Sequence, residues 1–157
     1  MIKPLNMKNP QLAQAVLAIQ LPAYQIEADL IGFQGIPALL ETIEDLMNSN
    51  ETFLGYYEDH QLSGVVSYDE NESLVEICRL VVAPTSFRKG IGRQLIEYVI
   101  NEARQSRDAL VSTGQMNGPA VTLYTKLGFV EEDRFEIAPG VQLINFRYSN
   151  NQGVSYS

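Results

Sequence analysis

A glycine-rich turn between an apolar strand and an amphipathic helix is the feature that most restricts the fold of this chain. The run 76–84, "EICRLVVAP", leads into "FRKGIGRQLIEYVI" at 87–100, where Gly90 and Gly92 follow two basic residues. A helix N-terminus exposes backbone N–H groups and the positive end of the helix dipole, and glycine lets a ligand approach that backbone. The junction therefore predicts an anion site, in which Arg88, Lys89 and Arg93 would bind phosphate.

Two common phosphate-binding motifs fit this junction poorly. A Walker A loop needs G-x-x-x-x-G-K-[ST], a string that does not occur in the sequence. A dinucleotide-binding fingerprint needs a third small residue where Leu95 stands, and it needs a parallel βαβ unit. A dinucleotide-binding protein is therefore an alternative that lacks one of its glycines.

Periodicity along the chain predicts helices first, then strands, and then alternating helices and strands. Residues 9–20 predict a helix that Pro22 ends or kinks, a further helical piece runs to Gly32, and 35–50 predict a second helix. Next we expect an antiparallel meander of three strands. The remaining predicted elements are the strands 51–58, 61–69 and 73–83, a helix 90–105, a strand 109–114, a helix 118–128, and a hairpin 129–149.

Length and composition indicate one globular domain. The 157 residues are 45% apolar and 19% charged, which is ordinary for a soluble protein, and no apolar run reaches the ~18 residues of a membrane span. We expect a single domain at 1–149, a disordered tail at 150–157, and a cytoplasmic location without membrane contact.

Charge and the scarcity of two residue types exclude several classes of function. The net charge of −8 argues against a nucleic-acid partner and would tolerate a cationic small molecule or basic peptide, although acidity also serves solubility alone. The one cysteine, Cys78, rules out an internal disulfide. With His60 as the one histidine, we predict no metal centre and no Ser-His-Asp triad.

Two linked segments resemble the GNAT N-acetyltransferase superfamily. The segment "LVVAPTSFRKGIGRQLIEYV" is similar to its acetyl-CoA motif, whose loop has the form [Q/R]-x-x-G-x-[G/A]. The segment "NGPAVTLYTKLGFVEE" at 117–132 is similar to the motif that follows. One position departs from the pattern, because Phe87 stands where the family has Gln or Arg. Arg88 follows it directly and is the nearest residue to supply that charge.

The resemblance implies a fold and a cosubstrate. The fold is α+β in three layers, with a mixed, mostly antiparallel central sheet of six to seven strands, flanking helices, and a splay between strands 4 and 5. The pantetheine arm of acetyl-CoA lies in that gap, held by strand backbone and by Asn117. An apolar strand such as 80–82 fits a buried core equally well. The resemblance assigns Leu80, Val81, Val82 and Asn117 to the arm, and Arg88, Lys89, Gly90, Ile91, Gly92 and Arg93 to the diphosphate.

Acetyl transfer to an amine needs a base for the amine and an acid for the departing thiolate. By the resemblance, Tyr124 matches the tyrosine that donates to the thiolate. Glu76 matches the glutamate base of histone-acetylating members, whereas other members use water or another group. Strict alternation would place Glu76, Cys78 and Leu80 on one face of the strand. Cys78 fits a small core residue better than a nucleophile, because direct transfer needs no acyl-enzyme.

The acceptor pocket in this fold is usually walled by the loop between the first two helices and by the last hairpin. There Glu27 and Asp29 could attract a cationic amine, with Tyr24 and Phe33 as apolar walls. The same residues also fit a solvated helix face. The resemblance thus predicts an N-acetyltransferase for a small-molecule or peptide amine, with a homodimer as one expected assembly. The alternative is a non-catalytic acyl-CoA-binding sensor module with the same fold.

Overall fold

The computed structural model describes residues 1–149, so the predicted disorder of 150–157 lies outside the described residues. After residue 51 the helices and strands follow the predicted order. In chain order they are β1 Ile2–Leu5, α1 Pro10–Ile31, a 3-10 turn Pro37–Leu40, α2 Ile43–Met47, β2 Thr52–Glu58, β3 Gln61–Glu70, β4 Leu74–Val82, a 3-10 turn Pro84–Ser86, α3 Ile91–Tyr98 with a π-helical turn Val99–Ala103, β5 Asp108–Gly114, α4 Gly118–Lys126, β6 Val130–Ala138 and β7 Val141–Tyr148.

The strands form one seven-stranded mixed sheet. Its order is β1-β2-β3-β4-β5-β7-β6, and every neighbouring pair is antiparallel except β4 with β5. This confirms the predicted α+β class and the strand number. The edge strand β1 was not predicted, because its four residues contain Pro4 and are too short to show an alternation.

The parallel pair β4–β5 opens after a short contact. Its register runs from Leu74 opposite Asp108 to Glu76 opposite Leu110, and within the described residues the pairing ends there. Further along, β4 stays paired with β3 and β5 stays paired with β7. The sheet therefore splits between its fourth and fifth strands, as the resemblance implied, and the gap separates two backbone edges.

A β-bulge in β4 changes which residues share a face. Ser67 lies opposite Arg79 and Tyr68 lies opposite Ile77, so Cys78 is an extra residue. Leu80 consequently packs with the core that contains Ile77, on the face opposite Glu76. The expectation that Glu76, Cys78 and Leu80 share one face is therefore wrong, because the bulge shifts the alternation by one residue.

Two cores cover the two faces of the sheet. One lies under α3 and α4, and it is tight where Gly64 meets α3, since a Cβ there would lie 2.7 Å from Ile91 Cγ2. The other lies under α1 and α2. Buried members of the first core include Leu54, Val66, Leu95, Ile96 and Phe146, and those of the second include Val16, Leu46, Phe53, Val65 and Val81.

The N-terminal helices differ from their prediction. Helix α1 runs for 22 residues, from Pro10 through Pro22 to Ile31, and is capped by Gly32, whose φ of +72° suits glycine. Burial of its apolar face against the sheet outweighs the one hydrogen bond that proline removes. The predicted helix 35–50 is broken, because Thr42 caps a new helix in a capping box with Asp45. No helix in residues 1–149 is long and apolar enough to cross a bilayer.

Candidate active site

Two cavities meet at the split between β4 and β5. The loop cavity, about 580 Å³, lies between α1, the end of β4 and the glycine-rich turn. The hairpin cavity, about 440 Å³, lies between β4, β5, the segment after α1 and the β6–β7 hairpin. Both volumes are typical of small-molecule sites. The side chains that line both cavities are Tyr24, Glu27, Leu80, Asn117 and Ala120.

The glycine-rich turn presents the N-terminus of α3 to the loop cavity. Arg88 and Gly90 both have left-handed backbone, with φ of +68° and +76°, and Gly90 is the N-cap of the helix. No atom lies within 4 Å of the position a Gly90 Cβ would take, so the approach to the backbone is open. Free N–H groups and the helix dipole can hold an anion there. Arg88, Gly90, Ile91, Gly92 and Arg93 all line the cavity.

Lys89 and Phe87 are the two remaining positions of the turn. Lys89 Nζ lies 3.2 Å from Glu58 and Lys89 is not among the residues that line the loop cavity. Hydrogen bonds from Ser63, Ser86 and Lys89 hold the pKa of Glu58 below its usual value, so this carboxylate anchors the turn. Phe87 lines the loop cavity with 43% of its surface exposed. The left-handed turn therefore forms with phenylalanine at the position where the family has Gln or Arg.

The end of β4 forms one wall of the loop cavity. Leu80, Val81 and Val82 all line it, on the side of the strand that has lost its β5 partner. Asn117 faces them from the start of α4. Its Oδ1 accepts a hydrogen bond from the Ala120 N–H at 3.3 Å, and its Nδ2 donates to Glu27 Oε1 at 2.8 Å.

Glu27 is the carboxylate that both cavities share. It lies on α1, and burial raises its pKa while the hydrogen bond from Asn117 opposes that rise. Glu76 lines neither cavity; it is exposed on β4, opposite Asp69 of β3. Asp29 accepts hydrogen bonds from Gln25 and Gln34 and is exposed. Of the predicted carboxylates, the structure therefore brings Glu27 alone to the junction.

Two tyrosines stand beside Glu27. Tyr124 is 4% exposed, lines the hairpin cavity, and packs its ring 5.6 Å from Phe129 and 5.9 Å from Phe146. Burial, and then the charge of Glu27, raise the pKa of Tyr124. Burial likewise raises the pKa of Tyr24, which lines both cavities. Both hydroxyls therefore stay protonated and can donate hydrogen bonds at neutral pH.

The walls of the hairpin cavity are largely apolar. Phe33 comes from the segment after α1, as the sequence suggested, and the β6–β7 hairpin supplies Ile137 and Leu143. Thr113 of β5 also lines this cavity, and its buried Oγ1 has no hydrogen-bond partner among the described residues. Thr113 was not predicted to be a site residue. Nothing in "ALVSTG" shows whether a hydroxyl that points inward has a hydrogen-bond partner.

A buried arginine forms part of the same wall. Arg79 is 7% exposed, and its guanidinium bonds to Gln20 at 2.6 Å and to Glu41 at 2.8 Å. Its Nε donates to Glu51 at 3.2 Å and to Ser67 at 2.8 Å. This cluster was not predicted, since the bulge at Cys78 is what turns Arg79 inward.

Cys78 lines the hairpin cavity and is exposed, so the expectation of a small core residue is wrong. Its thiol is nevertheless a poor nucleophile, because partial burial of the sulfur raises its pKa to about 12 and the carboxylates of Glu51 and Asp69 add to that effect. Because the thiolate is the reactive form, Cys78 stays an unreactive thiol at neutral pH.

The family of this chain follows from a match that covers most of the fold. The family model described as acetyltransferase (GNAT) domain matches residues 33–149. The chain belongs to the GNAT acetyltransferase family. Membership confirms the predicted family, and it agrees with the predicted acyltransferase class and with acetyl-CoA as the predicted cosubstrate.

Three known proteins illustrate the likeness of this GNAT domain. UPF0157 protein YqkA of Bacillus subtilis (strain 168) is 44% identical over 146 residues, which are 93% of this chain but 43% of that protein. The chain thus spans less than half the length of that relative. The structure of smu.2055 from Streptococcus mutans UA159 has a TM-score of 0.77 at 22% identity and covers 96% of this chain and 99% of that one. The structure of yncA from Salmonella typhimurium with acetyl-CoA has a TM-score of 0.73 at 16% identity, covering 100% and 97%.

Proposed function

We propose that this protein transfers the acetyl group of acetyl-CoA to the primary amine of a small acceptor by direct attack. One observation carries the proposal: a cavity lined by the N-terminus of α3 and a cavity with apolar walls meet at Glu27 and Asn117, next to Tyr124. An acyl carrier with a diphosphate and an amine acceptor would meet at that junction. The GNAT family membership and the neighbour with acetyl-CoA support this reading.

The residues around the loop cavity fit the shape and charge of CoA. The N–H groups at the start of α3, with Arg88 and Arg93, would hold the diphosphate. The free edge of β4 at 80–82 would bind the pantetheine arm as an added strand would bind. When bound, acetyl-CoA supplies a thioester carbon to the junction, which the amine nitrogen attacks. Lys89, paired with Glu58, would act through the shape of the turn.

The protons of the reaction can be followed on this chain's own groups. An alkylammonium must lose one proton to become a nucleophile and a second to become an amide. Glu27 would accept the first, because its raised pKa makes it a stronger base than an exposed carboxylate. Tyr124 would donate a hydrogen bond to the departing sulfur, which takes the second proton. Asn117 would orient Glu27 through the 2.8 Å hydrogen bond to Oε1.

This proposal assigns the role of base to Glu27 in place of Glu76. Glu27 is partly buried at the junction, whereas Glu76 is exposed on β4 away from both cavities. Cys78 takes no covalent part, since its raised pKa keeps it a thiol. Direct transfer needs no acyl-enzyme, which agrees with that state.

The decisive experiment measures CoA thiol released from acetyl-CoA with a panel of primary amines. We expect turnover by the wild-type protein and a loss of ~10²-fold or more in kcat/KM for Glu27→Gln. Glu76→Gln is the matched control and should stay within about threefold of wild type, as an exposed substitution outside the site would. A collapse of activity in Glu76→Gln with full activity in Glu27→Gln would return the base to Glu76. Tight CoA binding without turnover on any amine would instead favour the sensor module.

A further inference from the structure

We infer that the acceptor is a small primary amine with an apolar body and no carboxylate. This inference rests on the proposed function and concerns the chemistry of the hairpin cavity. Three properties of that cavity lead to it: its one cationic side chain is already bound, its other charged groups are negative, and its remaining walls are mostly apolar.

Arg79 cannot serve as an anchor for a substrate carboxylate. Among the residues that line the hairpin cavity it is the one with a positive side chain. Its Nη1 donates to Gln20 and Glu41, its Nε donates to Glu51 and Ser67, and its Nη2 lies 3.4 Å from both carboxylates. An incoming carboxylate would have to displace one of these partners and leave it buried without a cation.

The balance of charge in the cavity also opposes an anionic acceptor. Glu41 lines the cavity, whereas Glu51 pairs with Arg79 without lining it. Together they carry one more negative charge than Arg79 neutralises, and Glu27 adds a further carboxylate to the lining. A like charge inside a half-enclosed site is repelled, and it also loses its hydration. The ammonium form of an amine is attracted by the same groups, so the cavity prefers a cationic acceptor to an anionic one.

The rest of the wall favours an apolar body of small size. Phe33, Ile36 and Pro37 cover one side, and Ile137 and Leu143 cover the other. A volume of about 440 Å³ suits a small molecule. A second ammonium group would face these apolar side chains, so a diamine is a poorer fit than an aralkylamine or a branched alkylamine.

Matched pairs of amines test this inference. Phenethylamine is compared with phenylalanine, tyramine with tyrosine, and isopentylamine with leucine, because each pair differs by one carboxylate. A carboxylate in this cavity would stay without a cationic partner, so kcat/KM should favour the amine of each pair by at least ~100-fold. Amino acids accepted within tenfold of the amines, or a clear preference for putrescine or for a lysine peptide, would overturn the inference while leaving the acetyltransferase function intact. Transfer to no member of the panel would refute both.

A variant of the cavity tests the cause of the preference. Glu41→Gln removes one carboxylate from Arg79, so the amine-to-amino-acid ratio should fall by about fivefold or more. Glu44→Gln, at an exposed position of α2, is the matched control and should leave the ratio unchanged. Thermal unfolding and CoA affinity are measured for both variants to show that each is folded. A ratio in Glu41→Gln equal to that of the wild type would contradict the role given to the bound arginine.

Discussion

Replacing Arg88 with glutamine should weaken CoA binding far more than the same replacement of its neighbour Lys89. Arg88 lines the loop cavity, whereas Lys89 Nζ lies 3.2 Å from Glu58 and Lys89 is not part of that lining. Both variants lose one positive charge, at adjacent positions of one turn. Each is therefore the control for the other, and a general effect of net charge would appear in both.

The expected size of the effect comes from the contact that is lost. A hydrogen bond to a charged group contributes about 1.5–3 kcal/mol. Since 1.4 kcal/mol is a factor of ten, the Kd for CoA should rise ~10–100-fold in Arg88→Gln. Glutamine keeps a Cβ at the residue whose φ is +68°, so the strain of the turn does not change. Lys89→Gln removes a charge outside the cavity and the exposed ion pair with Glu58, which contributes little, so the Kd should rise by less than about threefold.

Isothermal titration of CoA into each variant, at low and moderate salt, gives the two affinities directly. The wild type and Lys89→Gln should lose affinity as salt rises, and Arg88→Gln should show a smaller dependence on salt. Dephospho-CoA, titrated in parallel, separates the diphosphate from the 3′-phosphate of CoA. An unchanged Kd in Arg88→Gln, or equal losses in the two variants, would refute the placement of the diphosphate at this turn.

Three further predictions concern the junction and the hairpin cavity. Tyr124→Phe should lower kcat ~10²-fold or more in steady-state assays, with little change in Tm because the ring contacts remain; normal kcat would remove the hydroxyl from the mechanism. Glu27→Gln should be more stable than wild type at neutral pH. The pKa of Glu27 is higher in the folded protein than in the unfolded chain. The stability that Glu27 contributes is therefore fully present below its unfolded pKa and is lost as pH rises through its folded pKa. If denaturant titrations show that the two proteins still differ in free energy of unfolding at acid pH, this reasoning is contradicted. Thr113→Val should raise Tm by ~2–4 °C. The buried hydroxyl without a partner costs the folded protein about 1 kcal/mol, and the substitution removes that cost. A lower Tm would show that the hydroxyl has a hydrogen-bond partner.

The order of elements after residue 51 and the glycine-rich turn before α3 were readable from the sequence, because each rests on local signals. Alternation, glycine position and helix periodicity act within about ten residues. The splay could be expected only through the family resemblance. Helix α1 was expected to end or kink at Pro22 and to resume up to Gly32; it runs through the proline as one helix, since the burial that keeps it intact comes from the sheet, far along the chain.

The side chains that distinguish this site were harder to predict. Periodicity marks the apolar face of α1, but it does not say that Glu27 at its border meets Asn117, 90 residues further on. Arg79 enters the cavity because one extra residue at Cys78 shifts the strand alternation, and a bulge leaves no reliable mark in a sequence. Glu76 matched a family position on the same strand, yet it is exposed and lines neither cavity.

The hairpin cavity combines one fully satisfied charged cluster with two groups that are poorly satisfied. Arg79 has partners for its whole guanidinium, so that wall is closed to new ionic contacts. Glu27 is held in a partly buried site that raises its pKa, and Thr113 keeps a hydroxyl without a partner. Both groups make the free protein less stable than an apolar replacement would. Such departures from a locally consistent fold are expected at functional sites, where the missing partner is supplied by a substrate. An acceptor would therefore make its polar contacts with Glu27 and Thr113. A substrate carboxylate would find no free donor on Arg79, whose hydrogen bonds are already made.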